Sequence, residues 1–377
     1  MSESAMPRLS TVEAQNQGNG TGEARRVTVS VVVPMKNEER YIGKCLETIL
    51  GNDFPMDQCE ILVMDGRSTD RSRTIVEEKA ALYPLIRLLD NPGGIASTAM
   101  NLGIRAARGQ YILRVDGHSE YPSNYIRTCL EELERTGADN VGARWITRPG
   151  SNSLVARAIA LMTQHPVCVG NAAYRIGQGD RFVDTVPFGA FRKSLFDKIG
   201  YYREDLVRHQ DYELNARIRK AGGKIYLSSK IDITYFNVPD LAGFMRQAYG
   251  NGIWMVHAWL GTPGSFSLRH GAPLAFVSCL LGCLFLSAFS EFFRIFLLGM
   301  IAMYLLFVLA AAVQISLRHG LVFLFVLPVL FVVYHSCYGA STLIGFLRYP
   351  FTRKVSRRDV SALENGCPDR PSARPNL

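Results

Sequence analysis

Three stretches toward the end of the chain, 272–290, 295–313 and 321–347, contain no Lys, Arg, Asp or Glu. Each meets or exceeds the roughly 17 to 25 residues that cross the hydrocarbon core of a bilayer, so transmembrane helices are expected there and a wholly soluble protein is excluded. The charge balance is read in that light. Lys and Arg number 42 against 33 Asp and Glu, a net charge of +9, which alone would admit nucleic acid, a membrane surface or an anionic substrate as partner. Arg348, Arg353, Lys354, Arg357 and Arg358 gather directly behind the last apolar stretch, where basic residues mark the cytoplasmic side and meet anionic lipid head groups. Membrane lipids are therefore an expected partner, and nucleic acid is not. The 8 Cys show no CxxC spacing, which predicts reduced thiols with neither a disulfide framework nor a zinc site.

Ahead of the apolar stretches the chain divides by composition. Residues 1–26 are rich in Ser, Gly, Asn, Gln and Glu without an apolar core, so they are expected to be disordered and not a signal peptide, which leaves the adjoining domain in the cytoplasm. From 27 to 239 a globular domain is expected. Val27 to Val33 is a continuous β-branched run ended by Pro34, the pattern of a strand buried on both faces. Asn37 is expected to cap the next helix, and Ile42, Leu46 and Ile49 recur at helical spacing. The alternation repeats with a strand at 61–64, a helix opened by Ser68 or Asp70, a strand at 86–89, a helix at 95–108 and a strand at 111–115. Such alternation predicts right-handed βαβ units and a doubly wound, mainly parallel α/β sheet. The mixture of Phe, Met, Tyr and Trp with Arg246 and His257 over 240–270 suits an amphipathic helix at the membrane interface. Residues 271–347 form the helical transmembrane region, and 348–377 a basic, largely disordered tail.

Ligands of doubly wound sheets sit at the carboxyl ends of strands. Pro34–Glu38, Asp65–Asp70 and Asp116–His118 all follow strands directly, so three polar clusters converge on one rim. Asp116 and His118 offer an oxygen and a nitrogen ligand that a hard divalent ion could share with substrate phosphates, or they form a plain polar turn. Asp65 can accept from a ligand N–H, or serve turn and capping chemistry while Ser68 caps the next helix. Lys36 can meet a phosphate or remain an exposed loop lysine. Asp211 opens a helix, either as a first-turn charge or as a general base, and Glu213 and Arg217 are spaced to pair on one helical face. Phe188 and Gly189 lie in an apolar loop whose glycine would let a substrate approach the backbone. No GxxxxGK[ST] and no GxGxxG follows a strand, so neither a P-loop nor a dinucleotide fingerprint is present.

The ordered set VSVVVPMKNEE, DGRSTD, NPGGIASTAMNLGIRAARGQYILRVDGH, DTVPFGAFRKSLFDKIG and QDYELNARIRKAGGKIY resembles the family 2 inverting glycosyltransferases of GT-A fold over 27 to about 260. RVDGHSEYP, GADNVGARW and HSCYGASTLIG make it most similar to the bacterial succinoglycan-glucosyltransferase type. That resemblance implies a GT-A (Rossmann-like) head and a nucleotide-sugar donor, a UDP-sugar, held by Pro34, Lys36, Asn37, Glu38, Asp65 and Asp116. It further implies Mg2+ or Mn2+ on Asp116 and His118, with Asp211 as the base. A base is needed when the acceptor is a sugar hydroxyl and not a phosphate, which favours a polyprenyl-linked glycan acceptor. A plasma (inner) membrane, multi-pass enzyme of exopolysaccharide or surface-glycan synthesis is thus expected. A processive polysaccharide synthase and a non-catalytic sugar-nucleotide-binding assembly protein are the competing readings.

Topology adds one tension. A cytoplasmic head and a cytoplasmic basic tail require an even number of crossings, yet three apolar stretches are present. Pro328, His335, Ser336, Tyr338 and Gly339 make 321–347 the anomalous one. It is expected either to re-enter without a simple crossing or to line the acceptor path, with His335 and Tyr338 near the acceptor head group, unless it is an ordinary third span.

Overall fold

A computed structural model describes residues 27–177, 179–265 and 267–352. The expected disorder of 1–26 and the basic tail from Arg353 onward lie outside the described residues. The first half of the head alternates as anticipated: β1 (Val29–Met35), α1 (Ile42–Leu50), β2 (Cys59–Asp65), α2 (Ser72–Leu82), β3 (Ile86–Asp90), α3 (Ala96–Ala106) and β4 (Tyr111–Arg114). β1 pairs in parallel with β2 and with β4, and β2 with β3. Val29, Val31, Val32 and Val33 are all fully buried, because helices cover both faces of this part of the sheet.

Beyond β4 the head becomes mixed. It continues through β5 (Ser119–Glu120), α4 (Tyr125–Thr136), β6 (Asn140–Arg148), α5 (Leu154–Met162), α6 (Pro166–Val169), β7 (Arg181–Phe182), β8 (Gly189–Arg192), α7 (Leu195–Ile199), α8 (Gln210–Lys220) and β9 (Ile225–Phe236). Among the described residues one sheet runs in the order β3-β2-β1-β4-β8-β6-β9-β5, with β7 also on β9. β8 is antiparallel to both β4 and β6, while β6 and β9 run parallel. Pairing is wholly parallel only in the first half; the second mixes the long parallel β6–β9 ladder with short antiparallel ones.

Two local expectations are corrected. Asn37 does not cap α1; it takes a left-handed φ of 56°, and its Oδ1 accepts from Thr69 N at 2.8 Å. Ser68 does not cap α2; its Oγ accepts from Asn37 N at 3.0 Å. Asp70 does serve α2, accepting from Ser72 N at 3.0 Å. The two strand-end loops spend their capping groups on each other, which locks the rim of the pocket.

Among the described residues four helices follow: α9 (Leu241–Gly261), α10 (Leu268–Leu286), α11 (Glu291–His319) and α12 (Phe323–Thr352). α9 is not merely laid on an interface. Phe244, Ala248, Met255, Val256 and Ala258 are buried, chiefly against α12, while Leu241, Met245 and Tyr249 are exposed at four-residue spacing. Among the described residues three helices are long and apolar enough to cross a membrane: Arg269–Leu286, Glu291–His319 and Phe323–Phe351.

α12 runs unbroken through Pro328 and Pro350, so the segment from 321 is neither split nor looped. Its surroundings are unlike those of the other two. Phe323, Leu327, Leu330, Phe331, Tyr338, Ser341 and Thr342 form one buried stripe along it, whereas Phe325, Val329, Leu347 and Phe351 are exposed. Near its start Phe323 lies under Arg157 of α5, 5.5 Å from the guanidinium carbon. In the middle, the His335 ring is 3.0 Å from Val167 O of α6 through Nε2 and 3.0 Å from Tyr304 Oη through Nδ1. Toward its end Gly252 of α9 sits where a Cβ would meet Tyr338 O at 2.6 Å, and Gly339 where one would meet Pro273 O of α10 at 2.3 Å. Only glycine permits these backbone approaches. α12 therefore touches the head through α5 and α6 in its first half and packs on α9 and α10 in its second, while α10 and α11 expose Leu284, Phe285, Phe292, Ile295 and Leu298.

Candidate active site

The pocket opens at the carboxyl ends of β1 and β4, with a volume of about 500 Å³ including its open mouth. Pro34 lines it from the end of β1, Lys36 and Glu38 from the loop that follows, Asn91 and Gly94 from the turn before α3, and Arg114, Asp116 and His118 from the end of β4 and just beyond it. Five of the residues singled out from the sequence are thereby brought together: Pro34, Lys36, Glu38, Asp116 and His118. Asn37 and Asp65 flank the pocket without lining it. Asp65 is almost fully buried; its Oδ1 accepts from Ser68 N at 3.1 Å, and its Oδ2 lies 3.2 Å from Arg73 Nη1. Its carboxylate shapes the loop that borders the pocket.

Asp116 and His118 are held from opposite sides. Asp116 Oδ1 accepts from Arg114 Nε at 3.1 Å, and its backbone N donates to Tyr121 Oη at 2.9 Å. His118 Nδ1 lies 3.1 Å from Glu38 Oε1, and its ring stands edge-on to Tyr235 with centroids 5.3 Å apart. Glu38 thereby fixes the orientation of the His118 ring at the pocket wall. Among the described residues no three His, Cys, Asp or Glu side chains converge as a cation cage. Asp116 and His118, one carboxylate and one imidazole at the same pocket wall, fit a hard divalent ion as a two-residue donor set that a bound diphosphate would have to complete.

Asp211 joins this cluster through a single guanidinium. Arg114 is 4% exposed; besides binding Asp116, it donates through Nη1 to Asp211 Oδ1. Burial pushes the Asp211 carboxyl up to about 6, Asp116 adds to the rise, and Arg114 pulls against it. The two carboxylates in turn hold Arg114 protonated against its own burial.

α8 is fixed where it must be for this contact. Asn215 Nδ2 donates to Thr185 Oγ1 and to Val186 O, both at 2.8 Å, and Asn215 Oδ1 accepts from Asn140 Nδ2 of β6 at 2.7 Å. The expected Glu213–Arg217 pair is present at 2.8 Å, and Arg217 also reaches Tyr201 O. His209, at the helix start with a φ of 60°, lies 2.9 Å from Asn251 O of α9 through Nε2.

Phe188 and Gly189 are not an open approach for substrate. Both are buried, and Gly189 is paired with Arg114 across β8 and β4. The Phe188 ring stacks on Trp145 at 4.9 Å and underlies Arg114 at 5.6 Å, so it supports the site from below. His335, with both ring nitrogens against protein partners, ties α12 to α6 and α11 and has no ring nitrogen left for an acceptor; Tyr338 is buried beside it. The aromatic wall of Trp145, Tyr174, Tyr235 and Tyr212 and the bridging role of Arg114 are what single-residue reading missed. A Trp and three Tyr scattered over two strands, a turn and a helix carry no common spacing.

The Glycosyl transferase family 2 model matches residues 30–200. The succinoglycan biosynthesis protein ExoA of Rhizobium meliloti is 28% identical over 256 residues, 67% of this chain and 77% of that protein. A dolichyl N-acetyl-α-D-glucosaminyl phosphate 3-β-D-2,3-diacetamido-2,3-dideoxy-β-D-glucuronosyltransferase of Methanococcus voltae is 26% identical over 230 residues, 59% of this chain and 71% of that enzyme. Among solved structures, the mannosyltransferase PcManGT of Pyrobaculum calidifontis in complex with GDP-Man and Mn2+ superposes with a TM-score of 0.54 at 17% identity, over 86% of this chain and 87% of that one. The fold is thus of GT-A type, a mixed sheet followed by long apolar helices. With its motifs in order and its strand-end pocket in place, the chain belongs to glycosyltransferase family 2.

Proposed function

We propose that this glycosyltransferase is a membrane-anchored, inverting, metal-dependent enzyme that moves a sugar from a UDP-sugar to a hydroxyl of a polyprenyl-linked glycan in exopolysaccharide or surface-glycan synthesis. The observation that carries the reading is Asp211: a largely enclosed carboxylate, its side chain 18% exposed, near pKa 6 and tethered to Asp116 through Arg114. A base tuned to that range accepts a proton from a hydroxyl at neutral pH. A phosphate acceptor would not need it. The names of the Rhizobium and Methanococcus relatives, one in succinoglycan synthesis and one acting on a dolichyl-phosphate-linked sugar, favour a lipid-linked acceptor.

In this scheme the donor's diphosphate lies over the loop after β1, against Lys36, Asp116 and His118. Asp211 takes the acceptor hydroxyl proton as that oxygen attacks the anomeric carbon from the face opposite the diphosphate. The carbon–oxygen bond to the diphosphate breaks with its electrons, and the anomeric configuration inverts. Asp116 and His118 would hold a Mg2+ or Mn2+ ion, which supplies charge neutralisation for the leaving diphosphate. Arg114 keeps Asp211 oriented and restrains its pKa from rising further.

The head, residues 27–239, faces the cytoplasm in this account. α10 and α11 enter the inner membrane as a hairpin. α12, which touches α5, α6 and α9 in turn, lies at the membrane surface and keeps the tail on the cytoplasmic side. This satisfies the even-crossing expectation without a break in the helix. Measuring which nucleotide-sugar releases its diphosphate on membranes carrying the full chain tests the proposal; release from none of a broad panel would overturn it.

A further inference from the structure

Between Asp211 and the foot of the first apolar helix lies a group of cations and aromatic rings that the donor chemistry does not use. Arg269 is the second residue of α10, where the first candidate span begins. Its side chain is only 6% exposed. It donates to Asn171 Oδ1 at 2.7 Å and to the half-exposed Asp184 Oδ2 at 2.9 Å, while its Nε is buried with no acceptor among the described residues. Its guanidinium carbon stands 5.6 Å over the ring of Tyr212, the residue next to Asp211. Tyr212 Oη lies 3.2 Å from Tyr174 Oη. On the other side of Tyr174, Arg175 lies 4.4 Å over Trp145, 5.7 Å from Tyr174 and 5.6 Å from Tyr235. No carboxylate among the described residues pairs with Arg175. Trp145 Nε1 and, on α12, Tyr338 Oη are likewise buried with no hydrogen-bond partner among the described residues.

Two guanidinium groups, one without a carboxylate partner, are costly to bury together unless an anion completes them. The unpartnered atoms, Arg269 Nε, Trp145 Nε1 and Tyr338 Oη, are donors of the kind that phosphate oxygens accept from. The site stands where the apolar helices meet the head, the level of a lipid phosphate, and one residue from the base.

We infer that Arg175 and Arg269 bind the phosphate or diphosphate that joins the acceptor glycan to its polyprenyl carrier. This rests on the lipid-linked acceptor reading. Anchoring the phosphate there sets the attached sugar beside Tyr212 and brings its hydroxyl to Asp211, so these are positioning residues and do not touch the reacting atoms.

The test uses the full chain in detergent with EDTA, titrated with farnesyl diphosphate and followed by tryptophan fluorescence. UDP binding with Mn2+ present is measured separately. Saturable binding should weaken at least tenfold in Arg175→Gln and in Arg269→Gln, be partly restored in Arg269→Lys, and be displaced by inorganic pyrophosphate, with UDP affinity unchanged. Unaltered lipid binding in both variants, or failure of pyrophosphate to compete, would overturn the assignment. Equal binding of phosphatidylglycerol micelles, lost in the same variants, would overturn it in favour of a general lipid anchor. Normal UDP binding without farnesyl diphosphate binding would sink this inference alone. Lipid binding without UDP binding would instead sink the donor reading.

Discussion

Arg114 of β4 and Asp211 of α8, 97 residues apart in the chain, form a hydrogen-bonded ion pair beneath the pocket. The same guanidinium holds Asp116, so the proposed base and metal ligand are positioned by one rigid, planar fork, a geometry that lysine could not reproduce.

The pH dependence follows from this pair. Asp211 must be deprotonated to act, and burial places its carboxyl at about 6. kcat/KM should therefore fall about tenfold per unit below that pH. Arg114 lowers the Asp211 value, so Arg114→Met should move the acid limb to higher pH as well as reduce the rate. An acid limb that stays in place in this variant would separate Asp211 from the titration. For stability the sign is opposite to that of an ordinary salt-bridged Asp. The fold binds the Asp211 proton more tightly than the unfolded chain, so this residue's contribution falls as pH rises from about 4 to about 6 and is flat above.

Metal dependence is expected to be graded and not structural. Chelation should abolish turnover while leaving the melting temperature unchanged, because Asp116 and His118 are already held by Arg114 and Glu38. His118→Ala should raise the Mn2+ or Mg2+ concentration required for half-maximal rate. Full activity in excess EDTA would remove the ion from the mechanism.

Close contact between α9 and α12 can be tested at one atom. Gly252→Ala introduces a Cβ about 2.6 Å from Tyr338 O, an overpacking that should destabilise the protein by about 1–3 kcal/mol. Gly282→Ala, with nothing within 4 Å, should be neutral. Equal melting curves for the two would mean that α12 does not pack on α9 as closely as this.

Topology is read with an impermeant thiol reagent on intact cells. Ser361→Cys should stay unlabelled and Ser290→Cys, at the turn between α10 and α11, should label. A labelled Ser361→Cys would make α12 a third crossing.

The parallel half of the head was legible because strands buried on both faces are written as continuous apolar runs, as in Val29–Val33. β6 and β9 were not legible. They carry an exposed pair, Arg144 with Asp232, and the run Ser228–Lys230 interrupts the apolar pattern of β9. The strand-end rule found Asp116 and His118 individually, but only the antiparallel insertion of β8 and the Asn140–Asn215 contact carry Asp211 to Arg114. Asn37 and Ser68 misled because the same side chains that cap helices also bind neighbouring loops. α12 misled because apolar content does not tell whether a residue meets lipid or another helix; its buried stripe against α5 and α9 decides that.

Transfer by the purified full chain tests the account most directly: radiolabel from the active UDP-sugar is followed into the lipid-extractable, mild-acid-labile fraction, wild type against Asp211→Asn. This variant keeps the size of the side chain but loses most of its basicity. The expected result is label in that fraction with inverted anomeric configuration, and a kcat at least ~10² lower in Asp211→Asn at near-normal donor affinity. Equal rates in the two proteins, or label that never enters the lipid fraction, would contradict it.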